Sequence, residues 1–462
     1  MDMDRAVIIG GAHSGSGKTT VSIGLMALLR RRGLIVQPFK VGPDYIDPGF
    51  HEKACERRSY NLDPWMMGEK GLKETFFHNM TGADMGIIEG VMGLFDGRND
   101  DTATSSTAHV AMMLNLPVIL VIDARSVAQS VGAIVYGFEN YMPELKLVAV
   151  VFNRVAGGSH YEMLRRAVKE RCRVSVLGYL PRDPAISIPE RHLGLAAPED
   201  KECGKRFLHD LADITERHVD IDRVLEIAAG AAIQKPSGVS SIPSPSPTGR
   251  GVRIAVALDE AFWFYYHDNL DVLEAAGAEI VFFSPLHDRL LPGDIAAIYF
   301  GGGYPELYAR GLSENNSMRK AIKEWAGSGG PIYGECGGLM ILTEGIYDFN
   351  GDFFEMTGVY ETRVKMTRER LRLGYREVEF LERTILGDRG DRVRGHEFHY
   401  SELLHQPENA RGVYSHGSSR LEGWRVKNTF ASYIHIHFKS NDSIGSNFVA
   451  FCRQENPRLQ EH

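Results

Sequence analysis

The sequence predicts an α/β protein with two domains, each of which contains a parallel sheet. Short apolar runs alternate with longer amphipathic stretches, and this alternation stops near residue 234 and resumes near residue 252. The first apolar run also leads into a glycine-rich stretch that opens a helical pattern. Strand–helix alternation is typical of parallel sheets, and 462 residues are enough for two separate cores.

In the first domain, assigned to residues 1–233, the strands are predicted from apolar runs rich in Val and Ile. Nearly continuous runs of this kind are typical of parallel strands that are covered on both faces. A helix is predicted over residues 19–31. The predicted strands are AVIIG (6–10), LIVQPF (34–39), MGIIEG (85–90), PVILVID (117–123) and LVAVVFN (147–153).

The stretch KPSGVSSIPSPSPTGRG is rich in Pro, Ser and Gly and has no periodicity, so residues 234–251 are predicted to be a linker. A second α/β domain is assigned to residues 252–450, and a frayed tail to 451–462. The predicted strands of this second domain are RIAVAL (253–258), EIVFF (279–283), AAIYF (296–300) and PIYG (331–334).

Charge and hydropathy exclude several classes of protein. The net charge of −8 does not favour binding to nucleic acid. No apolar run reaches the roughly 18 residues that a membrane helix needs, and the acidic start is not that of a signal peptide. The five cysteines form no CxxC pair, so neither structural zinc nor a disulfide framework is expected, and a cytoplasmic location fits.

The stretch GGAHSGSGKTT follows the first strand and matches the phosphate-loop pattern G-x4-G-K-[ST], except that Ala12 stands at the first glycine position. Small residues let backbone N–H groups point at phosphate oxygens. Lys18 would neutralise phosphate charge, and Thr19 would bind Mg²⁺. The alternative is a plain glycine turn before a helix. The predicted nucleotide-binding residues of this loop are Gly15, Gly17, Lys18, Thr19 and Thr20.

Charged residues follow the second and third predicted strands, where the ligand of an open parallel sheet binds. Lys40 is predicted to contact the nucleotide, Asp44 and Glu89 to bind Mg²⁺ with Thr19, and Asp47 to contact the substrate. Each carboxylate could instead cap a helix or sit in a surface turn. Asp96, in the pair Asp-Gly, is about as consistent with a turn as with a site, and Asn153 is predicted to contact the adenine.

The stretch YGECGGLM places Cys336 at a glycine-flanked turn between a strand and a helix, which predicts a nucleophile. A helix beginning there would lower the pKa of the thiol; the alternative is an inert buried cysteine. His435 and His437 are predicted on one face of a strand, as candidate bases. His396, Glu397 and His399 are rivals that could equally line the acceptor site.

The triplet Gly301–Gly302–Gly303 follows another predicted strand but lacks the lysine of a phosphate loop. A thiol that attacks an amide creates an oxyanion, which needs preorganised N–H donors. Bare glycine amides can supply such donors. The triplet is therefore predicted to be the oxyanion hole of the cysteine site.

Taken together, these motifs resemble those of the cobyrinic acid a,c-diamide synthases over nearly the whole chain. The first half resembles the dethiobiotin-synthetase-like fold with its phosphate loop, and the second resembles a class I glutamine amidotransferase domain. The motifs that carry the resemblance are SGSGKTT, FKVGPDYIDP, NLDPW, IEGVMGLFDG, FGGGYPE, GECGGLM, GHEFHYSE and SYIHIHF.

The resemblance implies a glutamine-hydrolysing ligase that uses ATP and Mg²⁺. Glutamine would be cleaved at Cys336, and the ammonia would replace phosphate on the activated a- and c-acetates of a corrinoid acid. Many class I domains have His-x-Glu, whereas this chain has His437 at the glutamate position after His435, so which histidine is the base stays open. His437 could still orient His435.

The nickel-sirohydrochlorin a,c-diamide synthases of coenzyme F430 biosynthesis share these motifs, so a second tetrapyrrole acceptor stays open. Cobyric acid synthase and a regulatory ATPase fit less well, the latter because it does not explain Cys336. The implied partners are ATP, glutamine and a tetrapyrrole acid, with no nucleic acid and no membrane. A homodimer is left open.

Overall fold

The computed structural model describes residues 5–97, 104–186, 201–231, 251–369, 371–416 and 420–455. The chain divides into two compact units, Met1–Ser241 and Ile242–His462. Each unit has its own sheet and its own apolar core.

The first unit is built on a seven-stranded sheet in the order β3-β2-β4-β1-β5-β6-β7. Every neighbouring pair in it is parallel. The phosphate-loop strand β1 lies in the middle, so the loop after it opens at the centre of one sheet edge. The strands are β1 Ala6–Gly11, β2 Val36–Val41, β3 Tyr60–Leu62, β4 Met85–Glu89, β5 Val118–Asp123, β6 Leu147–Val155 and β7 Ser175–Pro181.

Helices cover both faces of this sheet. Ile8 of β1 belongs to one apolar cluster, while its neighbours Val7 and Ile9 belong to another. Because alternate residues of a strand point to opposite faces, both faces are buried, which explains the continuous apolar run. The helices are α1 Lys18–Arg31, α2 Ile46–Cys55, α3 Pro64–Asn79, α4 Thr107–Leu114, α5 Val131–Tyr141, α6 Gly158–Lys169, α7 Lys201–His218 and α8 Ile221–Gly230.

The second unit has a ten-stranded sheet in the order β21-β16-β15-β18-β19-β20-β11-β10-β8-β9. The last five strands of this order are parallel, and the others pair antiparallel. These ten strands are β8 Val252–Ala257, β9 Ala278–Phe283, β10 Ala297–Phe300, β11 Ile332–Glu335, β15 Arg372–Phe380, β16 Arg392–His399, β18 Arg411–His416, β19 Arg420–Val426, β20 Thr429–Ser432 and β21 Ile434–Ile436.

A four-stranded sheet completes the second unit, in the order β13-β12-β14-β17. Its strands are β12 Thr343–Tyr347, β13 Phe353–Glu355, β14 Tyr360–Met366 and β17 Ser401–Leu403. The helices are α9 His267–Ala275, α10 Ala309–Glu314, α11 Asn316–Gly327, α12 Gly337–Leu342 and α13 Ile444–Glu455. In the described parts of the chain, no helix combines the length and apolar character that crossing a membrane requires.

The predicted α/β class is confirmed, but the sequence prediction omitted β3, β7 and most of the antiparallel strands of the second unit. The strand predicted to carry His435 and His437 is present as β21, but it ends at Ile436, one residue before His437. The predicted linker 234–251 lies outside the described residues except for its last residue. Helix α13 extends beyond the predicted boundary at residue 450, because Phe451 and Cys452 are buried in the core. Residues 456–462 of the predicted tail lie outside the described residues.

Candidate active sites

The phosphate loop joins β1 to α1 and depends on two glycines in the left-handed region. Gly15 has φ of 78° and Gly17 has φ of 94°. A methyl group built on Gly17 would lie 1.8 Å from the Asn153 amide nitrogen, so no larger residue fits there. The Lys18 ammonium donates to the Met92 carbonyl at 2.5 Å. The loop and the stretch after β4 are thus joined at the start of α1, where an anion is favoured.

Four predicted residues from different elements meet beside this loop. Thr19 Oγ1 donates to Glu89 Oε1 at 2.6 Å and lies 3.5 Å from Asp47 Oδ2. Lys40 Nζ lies 2.5 Å from Asp47 Oδ2 and 3.0 Å from Glu89 Oε1. The structure therefore brings together the ends of β2 and β4 and the starts of α1 and α2.

Opposite charges in this cluster stabilise each other, and its carboxyl groups repel one another. Burial disfavours the charged form of Lys40, but the carboxylates of Asp47 and Glu89 outweigh it and hold the pKa of Lys40 above its usual range. Burial likewise acts against ionised Glu89, yet Lys40 and His51 lower its pKa. Burial raises the pKa of Asp47; Lys40 acts against this effect, and Glu89 and Asp44 add to it. The cluster is thus built around one ammonium and the Glu89 carboxylate.

His51 belongs to this cluster although the sequence prediction omitted it. Its ring is fully buried, with Nε2 at 2.7 Å from Glu89 Oε2 and Nδ1 at 3.1 Å from Ser59 Oγ. The available signal was its spacing of four residues from Asp47, which places both on one face of α2. His51 positions Glu89, whose other oxygen receives Thr19 and Lys40.

Asp44 stands at the edge of the cluster. Its Oδ1 accepts from the backbone N–H groups of Ile46 at 2.8 Å and Asp47 at 3.2 Å. Its Oδ2 lies 3.9 Å from Lys40 Nζ. One oxygen therefore shapes the start of α2, as the helix-cap alternative predicted, and the other faces the cluster.

The donor set fits Mg²⁺, which prefers hydroxyl and carboxylate oxygens and keeps sites open for phosphate oxygens or water. Thr19 supplies a hydroxyl oxygen and Glu89 a carboxylate oxygen, and the two are joined by a hydrogen bond. Within the described ranges, no group of three or more His, Cys, Asp or Glu side chains could enclose a metal by itself. A metal here would therefore share its coordination with bound phosphate.

Two weaker predictions have a local explanation. Asn153 Nδ2 donates to the Ser16 carbonyl at 3.1 Å, and its Oδ1 accepts from Arg154 N at 2.9 Å. Both amide atoms are thus used within the protein, and the adenine contact stays a prediction. Asp96 Oδ2 accepts from Gly93 N at 2.8 Å, which is the turn that the alternative interpretation described.

In the second unit, Cys336 occupies a strained turn between β11 and α12. Its φ of 49° lies in the left-handed region, and its N–H donates to the Ser432 carbonyl at 2.7 Å. A methyl group on Gly338 would lie 2.5 Å from the Phe300 carbonyl oxygen, so α12 begins tightly against β10. The predicted elbow is present in the geometry.

The expected activation of the thiol by the helix is wrong for this state. Burial raises the pKa of Cys336, Glu306 adds to the effect, and the Gly337 N–H at the start of α12 acts in the other direction but is outweighed. The side chain is 5% exposed, and Sγ lies 3.9 Å from the Phe398 carbonyl. The resting thiol is therefore protonated and needs a base.

The glycine triplet lies beside this elbow, but two of its N–H groups are occupied. Gly301 N donates to Tyr265 Oη at 2.8 Å, and Gly302 N donates to the Phe264 carbonyl at 3.2 Å. A methyl group on Gly337 would lie 3.2 Å from Gly303 N. The structure thus differs from the predicted use of all three glycines, and Gly303 is the member placed to face the elbow.

The two candidate bases have different surroundings. A methyl group on Gly302 would lie 2.3 Å from His435 Cε1, so this ring abuts the triplet. His437 instead has Nε2 at 3.9 Å from Asp268 and Nδ1 accepting from Lys439 N at 3.3 Å. Burial lowers the pKa of His435 to about 3 and that of His437 to about 4. Both are neutral at pH 7, and His435 is the one beside the elbow.

Among the rival residues, Glu397 and His399 pair with each other. His399 Nε2 lies 3.0 Å from Glu397 Oε1, and Arg376 donates to Glu397 Oε2 at 2.7 Å. The His399 ring stacks on Tyr433 at 3.8 Å. His396 faces His435 across the β16–β21 pair. Glu397 is already bound from two sides, so it is a poor candidate for accepting the thiol proton.

Two family profiles match the chain, one in each of the two units. Residues 7–195 match the family profile of the CobQ/CobB/MinD/ParA nucleotide binding domain. Residues 253–443 match that of the CobB/CobQ-like glutamine amidotransferase domain. Together these matches span most of the chain and cover the phosphate-loop cluster and the cysteine elbow.

Full-length relatives are also known. The chain is 42% identical over 455 residues to a protein of Salmonella typhimurium named cobyrinate a,c-diamide synthase, covering 97% of this chain and 98% of the relative. Proteins of the same name from Syntrophotalea carbinolica and Caldanaerobacter subterraneus are 44% and 41% identical. The matches cover 97% of this chain in both cases and 99% of each relative.

Proposed function

The chain belongs to the cobyrinate a,c-diamide synthase family, and we propose that it amidates the a- and c-acetate carboxylates of cobyrinic acid with ATP and glutamine. The observation that carries this proposal is the presence of two different reactive clusters in one chain. One is a phosphate loop with Thr19, Lys40 and Glu89 in contact, and the other is the Cys336 elbow beside His435. A ligase that makes its own ammonia needs both.

The second unit releases the nitrogen. Neutral His435 accepts the proton of Cys336, and the thiolate attacks the amide carbon of glutamine. The N–H of Gly303 stabilises the oxyanion, and His435 returns its proton to the departing ammonia. Water then hydrolyses the glutamyl thioester, which frees glutamate and restores the thiol.

The first unit activates the acceptor. A carboxylate reacts poorly with ammonia because its leaving group would be oxide. Transfer of the γ-phosphoryl group of ATP to that oxygen creates a better leaving group, and ammonia then displaces phosphate. Lys18 and the loop N–H groups of Gly15 and Gly17 bind the phosphates, Thr20 follows in the same helix turn, and Lys40 faces the transferred group. Asp47 contacts the acceptor.

A magnesium ion, when bound, would reduce the negative charge of the triphosphate. Thr19 and Glu89 would hold it, with Asp44 at the edge of its shell. His51 keeps the Glu89 carboxylate turned towards Thr19. The reaction needs cellular ATP and a corrinoid acid, and we place it in the cytoplasm.

The acceptor is tested by incubating the enzyme with glutamine, ATP–Mg²⁺ and either cobyrinic acid or nickel-sirohydrochlorin. We expect mass spectrometry to show two amidations of cobyrinic acid. Amidation of nickel-sirohydrochlorin alone would instead assign the chain to the coenzyme F430 reaction. Amidation of neither would refute the proposed activity.

Two variants separate the sites. Lys18→Ala should abolish amidation with either glutamine or added ammonium, because the triphosphate is no longer held. Cys336→Ser should abolish glutamine-dependent amidation and keep the ammonium-dependent reaction, because only the nitrogen supply is lost. A regulatory ATPase would hydrolyse no glutamine in either the unaltered or the Cys336→Ser protein.

A further inference from the structure

Glu335 immediately precedes the nucleophile and is one of the most buried carboxyl groups of the second unit. It is the last residue of β11 and is 1% exposed. Tyr333 Oη donates to Glu335 Oε1 at 2.6 Å, and Tyr299 Oη donates to Oε2 at 3.0 Å. Burying a carboxyl group costs free energy of folding unless hydrogen bonds or a charged partner replace the lost water.

One hydrogen bond and one approach of 3.8 Å, which is too long for a hydrogen bond, place Glu335 against the histidine strand. The Ile436 N–H donates to Glu335 Oε1 at 3.0 Å, which fixes the carboxyl group against β21. Its Oε2 lies 3.8 Å from His435 Nδ1. The Cε1 and Nε2 atoms of the same ring abut Gly302. His435 therefore lies between Glu335 and the glycine triplet.

We propose that Glu335 is the positioning residue of the cysteine site, and that it orients His435 through Nδ1 and stabilises the imidazolium that forms during glutamine cleavage. This proposal rests on the proposed function. It supplies the carboxylate that the sequence lacks two residues after His435, where His437 stands. His437 contacts Asp268 and Lys439 instead.

Several ionisable groups surround Glu335 and His435. Burial raises the pKa of Glu335 to about 8, while hydrogen bonds from Tyr333, Ile436 N and Tyr299 lower it. Tyr265, Tyr414 and the Cys336 thiol also face its charge. Besides Glu335, the ionisable groups that face His435 are His396 and His399. The ionised form of Glu335 is the one that stabilises an imidazolium, so glutamine cleavage should rise with pH as Glu335 loses its proton.

The test compares Glu335→Gln with Glu335→Asp in the full chain, supplied with ATP–Mg²⁺, acceptor and glutamine. For Glu335→Gln we expect kcat for glutamate release, measured above pH 8 where Glu335 is ionised, to fall about 100-fold with little change in KM. We also expect the rise of kcat/KM near pH 8 to disappear. Glu335→Asp should recover part of the kcat, because it keeps an ionisable group.

The matched control is Asp268→Asn, which neutralises another carboxyl group of the same unit that is 1% exposed. It should keep the wild-type pH profile of glutamate release. Ammonium-dependent amidation reports the integrity of the first unit in every variant. If the unaltered protein releases no glutamate, the proposed function fails, whereas release that is equal in Glu335→Gln overturns only this inference.

A second variant decides the matter if Glu335→Gln does not fold. Tyr333→Phe removes the 2.6 Å hydrogen bond that favours the carboxylate and keeps Glu335 itself. The rise of kcat/KM should then move to higher pH. An unshifted profile, or a Glu335→Asp variant no more active than Glu335→Gln, would overturn the assignment.

Discussion

At the scale of single residues, both units bury carboxylates that are held by cationic or imidazole partners. Glu89 is held by Lys40 and His51 in the first unit, and Glu397 by His399 and Arg376 in the second. Burial alone would favour the protonated acids. The partners outweigh burial in both cases, so these side chains are ionised and folding becomes linked to pH.

Glu397→Gln tests this linkage. Burial opposes ionisation, but His399 and Arg376 lower the pKa of Glu397 from 4.5 to about 2. A folded-state pKa below the unfolded value gives stability that is present above pH 4.5 and is lost as the pH falls towards 2. We expect Glu397→Gln to cost about 2 kcal/mol of unfolding free energy at pH 7 and clearly less at pH 3.

Urea unfolding at the two pH values measures the effect. Glu361→Gln, a change at an exposed glutamate of β14, serves as the control and should leave stability unchanged at both. An equal loss in Glu397→Gln at pH 7 and pH 3 would show that the carboxylate charge is not what stabilises the fold.

At the scale of elements, the cysteine site depends on the close approach of three segments. The start of α12 touches the Gly302–Gly303 turn after β10, and the ring of His435, carried by β21, lies against that turn. This close approach leaves no room for a side chain on Gly302 or Gly303. Glycine is therefore required here by contact, since Gly302 does not have a left-handed backbone.

Gly302→Ala should displace His435, because the added methyl group would lie 2.3 Å from Cε1. A displacement of about 1 Å can reduce the rate about 100-fold. We expect glutamate release to fall by roughly that factor and ammonium-dependent amidation to persist. Gly327→Ala, in α11, meets no atom within 4 Å and should leave both reactions intact. Normal glutamate release in Gly302→Ala would contradict the proposed place of His435 in the site.

At the scale of the whole molecule, two units carry two reactions that must be coordinated to avoid wasting glutamine. The resting cysteine is buried, and its thiol has a raised pKa. Glu335 is also largely protonated at pH 7, since burial raises its pKa to about 8. Both features describe a glutaminase that is poorly active until it rearranges.

Glutamine hydrolysis should therefore be stimulated by the ligands of the other unit. We expect ATP–Mg²⁺ together with the acceptor to increase glutamate release about tenfold, which is a typical coupling between sites. The measurement is the initial rate of glutamate formation with and without these ligands. Equal rates would mean that the two units work independently.

The sequence predicted most of the parallel strands and both reactive motifs, because continuous apolar runs and glycine-flanked Lys or Cys are local signals. It missed strands such as β14, where buried and exposed residues alternate, since the strands were assigned mainly from continuous apolar runs. It also missed Glu335. The contacts of that residue come from β10, β11 and β21, which pair or approach only in the folded sheet.

The ammonium of Lys40 lies between Asp47 and Glu89, so the phosphate cluster carries its own internal counter-ion. The carboxyl groups of the cluster therefore do not need a metal ion from solution to stabilise the fold. Treatment with a chelating agent should therefore silence the ligase without lowering its melting temperature. The protein could be purified and stored without divalent cations, and Mg²⁺ could be added when the activity is assayed.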